Sequence, residues 1–193
     1  MTILYRKIDV PNLDTLQNKL MSVFPHELYR NPRIFFPPDQ SKFFDIPELT
    51  NILDSHQLKH NITTFGFYVM PPNSTGAVHI DWGHSDYSMN IPLRFCDNTF
   101  TRFYSTVGEP TLIPESITKD GIKVTPHYLF NNVKLNEVEM FESNVPVVMH
   151  IKTIHNVHNP NNNFRVNLLI RHSNNDAMAE LLYGTPPRSR TES

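Results

Sequence analysis

A single cysteine, six glycines and three alanines in 193 residues set the first limits. Cys96 has no partner in the chain, which excludes an intramolecular disulfide and suits a reducing cytoplasm; a buried, inert thiol is its expected state. No lysine or arginine run of the kind that grips phosphates occurs, and the net charge is only −2, so general nucleic-acid binding is not expected. No apolar run approaches the roughly 18–20 residues needed to cross a bilayer. The opening MTILYRKIDV does not read as a signal peptide, so the expectation is a cytoplasmic protein with no membrane partner. Twenty asparagines against so few Gly and Ala read as genomic base composition rather than chemistry.

Aromatic content of 11%, with 13 Phe, is enough for a packed core and argues against disorder. The length fits one domain, residues 1–193, burying roughly 70% of its unfolded surface. Leu13, Leu16, Leu20 and Phe24 form a helical stripe with Asn12 as N-cap. Residues 25–45 are rich in Pro and Phe and read as an irregular packed connector. Pro47 opens a second short helix, with Leu49, Ile52 and Leu53 on one side, ending near His60. Residues 1–61 thus read as a helical and irregular support.

From residue 62 the texture turns β-branched and aromatic. The expected strands are 62–70, 76–82, 88–95, 99–104, 137–142, 145–151 and 164–171, separated by turn residues. Many short strands argue for a sandwich or barrel, most simply a jelly roll, giving a mainly β fold with flanking N-terminal helices. The core would span 62–172, interrupted by a weakly patterned insertion at 105–136 that reads as a lid or substrate loop. Residues 173–193 form a C-terminal extension, with one or two helical turns at 176–183 and a frayed tail from Gly184.

The chemistry-bearing residues are few. His79 and Asp81 stand two apart, so on extended backbone both side chains leave one face. His155 from a distant strand could complete three corners of an octahedron. Two histidines and a carboxylate with open positions suit oxygen-activating non-haem Fe(II). Ten residues beyond His155, Arg165 offers a planar fork for a carboxylate. A second pair, His84 and Asp86, competes with the first. Gly83 breaks the chain before His84, however, so a solvated turn is the plainer reading there. His150 and His158 compete with His155, but on extended backbone they face the other side from it.

Taken in order, His79-Ile80-Asp81, then residues 153–159 (Thr-Ile-His-Asn-Val-His-Asn), then Arg165-Val166-Asn167 resemble the Fe(II)/2-oxoglutarate-dependent dioxygenase superfamily. The general look is of a small prolyl-hydroxylase-like or phage-type member, and the match covers roughly 62–172. In that family the arginine usually begins Arg-x-Ser; here Asn167 replaces the hydroxyl with an amide, which can still donate to a carboxylate. The resemblance implies a double-stranded β-helix and a metal site of His79, Asp81 and His155. It also implies 2-oxoglutarate as cosubstrate, its distal carboxylate on Arg165, and hydroxylation of a small-molecule or peptide substrate with release of succinate and CO2. Ascorbate is the supporting reductant of such a reaction.

Tyr68, eleven residues before His79 and followed by Pro71-Pro72, matches a family position that hydrogen-bonds the cosubstrate; a core aromatic is the alternative. Asn90, between apolar Met89 and Ile91, either aims into the barrel or bridges backbone. Arg94, Arg102 and Tyr104 belong more naturally on a solvated face, and Trp82 packs or walls the substrate cavity. Two other classes stay open: a cupin-like Zn(II) or Mn(II) protein without a keto acid, and a non-catalytic jelly-roll module.

Overall fold

The computed structural model of the chain describes residues 3–184 except 33, 59–62, 82–84, 115, 118–122, 125–126 and 131–132. It opens with β1 (Tyr5–Lys7), α1 (Leu13–Ser22), a 3-10 turn (His26–Tyr29), β2 (Ile34–Phe35), α2 (Ser41–Phe44) and α3 (Pro47–Ser55). Four strands follow: β3 (Thr63–Met70), β4 (Ser74–Thr75), β5 (Tyr87–Arg94) and β6 (Phe100–Val107). The insertion carries β7 (Thr111–Ile113), β8 (Ser116–Ile117), β9 (Lys123–Val124) and β10 (His127–Leu129). The chain then runs through β11 (Lys134–Glu142), β12 (Val147–His150), β13 (His155–Asn159), β14 (Arg165–His172) and α4 (Asn175–Tyr183). The protein is mainly β, with antiparallel sheets and few helices.

Two sheets define the architecture. One has six strands in the order β1-β12-β5-β14-β3-β2; the other has four in the order β11-β6-β13-β4. Insertion strands pair as β10-β7 and β8-β9. On the outer side of the larger sheet lies the main core. There Leu16 and Leu20 of α1, Leu49 and Leu53 of α3, and Leu182 of α4 pack with Phe65, Phe67, Ile91, Leu168 and Ile170. Period-two alternation does the sorting: Val166, Leu168 and Ile170 enter this core, so Arg165, Asn167 and Leu169 face the opposite side.

Local chemistry explains most element boundaries and some departures. Pro47 sits at the first helical position of α3, where its missing N–H costs nothing. That helix ends at Ser55, before the expected limit near His60, which lies outside the described residues. Asn12 precedes α1 but makes no side-chain cap, because its φ of 55° is left-handed rather than the extended backbone an N-cap side chain requires. Asn174 does cap α4, its side chain accepting from the amides of Asp176 and Ala177, and that helix runs nine residues rather than one or two turns. The connector at 25–45 holds a 3-10 turn, β2 and α2. The tail beyond Gly184 lies outside the described residues.

The strand expected at 76–82 is not one. Thr75 pairs with His158 and His79 with His155, so four steps on one side face three on the other and the ladder slips by a residue. What remains is β4 and an isolated bridge at His79. Conversely, residues 155–159, outside the expected strand bounds, form β13, whose first residue His155 pairs with Phe103 of β6.

Leu168 is fully buried at the centre of the larger sheet. Leu168→Ala is expected to lower unfolding free energy by about 2–5 kcal/mol in urea titrations, while leaving the residues of the opposite face in register.

Candidate functional site

A cavity of about 90 Å3, open to solvent, lies between the two sheets. Its lining includes His79, Asp81 and His155, and also Tyr68, Asn90, Arg165 and Asn167. All seven residues singled out from the sequence therefore share one space, and strand register accounts for it. Asn167 of β14 faces Tyr68 of β3, and Leu169 faces Asn90 of β5, so all four project on the same side of one sheet. Across the cavity, β13 and β6 pair Val157 with Thr101 and His155 with Phe103.

The His/Asp/His cluster is compact. One potential ligand atom from each of His79, Asp81 and His155 lies within 4.8 Å of the others. His79 Nε2 stands 3.9 Å from Asp81 Oδ1, and His155 Nε2 stands 3.8 Å from Asp81 Oδ2. Both Nδ1 atoms lie 2.8 Å from carbonyl oxygens, of Ala77 for His79 and Thr153 for His155. A carbonyl can only accept, so each Nδ1 carries a proton, and in the neutral ring the lone pair is left on Nε2, the atom nearer the carboxylate. That is the tautomer and orientation of a metal-ligating imidazole. The two histidines that compete with His155 are otherwise occupied: His150 Nδ1 meets Thr153 Oγ1 at 2.9 Å and His158 Nδ1 meets Thr75 Oγ1 at 2.7 Å. Of the rival pair, His84 lies outside the described residues, while Asp86 accepts from Asn175 Nδ2 at 3.0 Å and ties the loop to α4.

Backbone contacts, not a regular strand, hold the cluster. His79 and His155 exchange both peptide hydrogen bonds at 2.9 Å, and the Asp81 amide donates to the Ile151 carbonyl at 3.0 Å. Lys152 Nζ donates to the Asp81 carbonyl at 3.0 Å. Arg171 reaches the carboxylate itself, with Nη2 2.9 Å from Asp81 Oδ1. Sequence reasoning missed Arg171, although it stands at the next alternate position after Arg165, Asn167 and Leu169. That parity was the signal available.

Arg165 is the deepest charge in the cavity. It is 2% exposed, and its Nε and Nη1 have no hydrogen-bond partner. No carboxylate among the described residues pairs with it; its guanidinium lies 5.7 Å from the Tyr68 ring centroid. Unmet donors on a buried cation are costly, and a planar fork of this kind fits a carboxylate. Asn167 is 1% exposed, with Nδ2 donating to its neighbour's carbonyl at 3.3 Å. Asn90 accepts from Ser88 Oγ at 2.7 Å and turns Nδ2 toward Met149 Sδ at 3.1 Å. The hydroxyl of Tyr68 is pushed up in pKa by burial, which keeps it a neutral donor. Arg94 is exposed, Arg102 lies 3.7 Å from Glu137, and Tyr104 donates to Asn156; none lines the cavity. Trp82 lies outside the described residues.

Burial, reinforced by the neighbouring His79, lowers the His155 pKa from 6.5 to about 4. Its neutral form is therefore the one the fold favours. The associated stability is present above pH 6.5 and is lost as pH falls toward 4. In metal-free protein, His155→Asn is expected to flatten the decline in urea stability between pH 6.5 and 4. An unchanged decline would show that His155 does not carry it.

No family model matches the chain, and no curated protein matches it in sequence. Among solved structures it is similar to a Pseudomonas putida prolyl-4-hydroxylase, at 14% identity over 89% of this chain and 88% of that one, with a TM-score of 0.48. It is also similar to SnoK, a non-haem alpha-ketoglutarate-dependent carbocyclase from nogalamycin biosynthesis, at 12% identity over 87% and 79% of the chains, with a TM-score of 0.46. A third is AviO1 from Streptomyces viridochromogenes Tue57, at 11% identity over 95% and 92%, with a TM-score of 0.44. At these values the likeness assigns no role to any residue of this chain.

Proposed function

We propose that this chain is an Fe(II)- and 2-oxoglutarate-dependent dioxygenase, one domain built on a double-stranded β-helix, that hydroxylates a small-molecule or peptide substrate. The observation that carries the reading is the conjunction in one cavity of a His/Asp/His donor set with a buried arginine whose donors are unmet. Either feature alone has many explanations. A cupin-like metal protein has no need of Arg165, and a non-catalytic module has no need of the cluster.

The donor set fits Fe(II): two neutral imidazole nitrogens and one carboxylate oxygen, leaving other positions open. His79, Asp81 and His155 would hold the ion. Bound there with 2-oxoglutarate and O2, Fe(II) supplies the oxidative chemistry, coupling decarboxylation to succinate and CO2 with oxidation of a substrate C–H bond. The protein's own work is binding and placement. Arg165 pairs with the distal carboxylate of the keto acid through its fork, and Asn167 and Tyr68 add neutral donors around it. Asn90 presents an amide on the same wall. Met149, Ile151, Val157 and Leu169 line the space with apolar surface and limit water within it. The Thr153 and Ala77 carbonyls keep both imidazoles oriented.

Anaerobic titration of the Fe(II)-loaded protein with 2-oxoglutarate is expected to develop the visible charge-transfer absorbance of keto-acid chelation. Asp81→Ala is expected to abolish Fe(II) binding. Arg165→Ala should keep Fe(II) and weaken 2-oxoglutarate by about 2–5 kcal/mol, the cost of breaking a buried charged pair. Full Fe(II) affinity in the Asp81 variant would refute the ligand set; metal binding with no response to 2-oxoglutarate would select the cupin-like class.

A further inference from the structure

Asp81 is held at three points, and only one of them acts on its carboxylate. The Ile151 carbonyl and Lys152 Nζ, each at 3.0 Å, fix its backbone. Arg171 Nη2, at 2.9 Å, occupies Oδ1. Arg171 is itself supported. Its guanidinium lies over the Phe36 ring, 5.7 Å from the centroid. Phe36 in turn lies against Gly66, where an added Cβ would come within 2.7 Å of the ring. Gly66 of β3 faces Leu169 of β14, two residues before Arg171. Gly66, Phe36, Arg171 and Asp81 therefore form one continuous stack, running from the sheet across the segment after β2 to the candidate metal carboxylate.

We infer that Arg171, backed by Phe36, is a positioning residue that engages Asp81 Oδ1 and leaves Oδ2 as the oxygen presented to the ion. This rests on the reading of His79, Asp81 and His155 as metal ligands. A carboxylate oxygen held in a charge-assisted hydrogen bond is the poorer ligand of the two, which favours binding an ion through the other. The coordination position that a bidentate carboxylate would fill then stays open. Arginine suits the task because its plane can lie on an aromatic face while one edge donates, which a lysine ammonium does not reproduce. The small residue at 66 is required for the same reason: any side chain there displaces the ring that supports the guanidinium.

Co(II) added to metal-free full-length protein tests this, because its visible ligand-field spectrum reports coordination number independently of turnover. Arg171→Met is expected to weaken Co(II) about 10–100-fold, the usual effect of removing an outer partner of a ligand, and to shift the spectrum toward higher coordination. Arg171→Lys should recover part of the affinity. Phe36→Ala, at a side chain 41% exposed and so tolerant of truncation, should move the spectrum the same way by a smaller amount, and Gly66→Ala should do likewise. If both Arg171→Met and Phe36→Ala keep the parental Kd and spectrum while Asp81→Ala loses Co(II), the positioning role is refuted and the ligand set stands. If Asp81→Ala binds Co(II) like the parent, the ligand reading and this inference fall together.

Discussion

Strand β14 is the constraint on which the rest depends. It is the fourth strand of the larger sheet, hydrogen-bonded on both sides, and its side chains must alternate between two environments of opposite character. Val166, Leu168 and Ile170 bury fully against the helices. That apolar burial fixes the register, since a slip of one residue would drive Arg165, Asn167 and Arg171 into the core and expose three large aliphatic side chains. The hydrophobic face thus places the polar one. Two arginines and an amide that would be unstable in most interiors are held where the core leaves them no choice.

The candidate metal cluster is assembled on a different principle. His155 stands on a regular strand, but His79 and Asp81 do not; they lie beyond a one-residue slip in the β4–β13 ladder. Peptide hydrogen bonds to His155 and Ile151 replace the missing ladder. The irregularity lets two side chains converge on a third instead of standing at strand spacing. Both imidazoles are pinned through Nδ1 to carbonyls of nearby residues, so their orientation is local, while their proximity is long-range. The carboxylate is the exception, being held by Arg171 from the opposite sheet.

How much of this was legible in the chain follows from the range of each interaction. Helices α1 and α3 showed as apolar stripes, α3 with a proline at its first turn, and α4 as one or two turns near 176–183, because helical contacts are local. Strands β3, β5, β6, β11, β12 and β14 showed as alternation and β-branched content, although β6 and β11 run further into the 105–136 insertion than their composition suggested. The strand expected at 76–82 failed because its alternation is real but its pairing partner is one residue short. Strand β13 was hidden because His155-Asn156-Val157-His158-Asn159 has little of the apolar content that marks strands; its pairing with β6 decides it.

What the sequence determined by itself was the inventory: a paired His and Asp two apart, a distant His, an arginine on an alternating strand, and too few cysteines or basic runs for other chemistry. These depend on spacing along one chain, and parity correctly turned His158 away from His155. Only the tertiary structure decided that the three donors meet, that Arg165 is buried with unmet donors, and that Arg171 reaches Asp81 through a stack seated on Gly66. Those facts come from pairings between residues 90 to 135 positions apart. Register between strands, which no single strand contains, sets them.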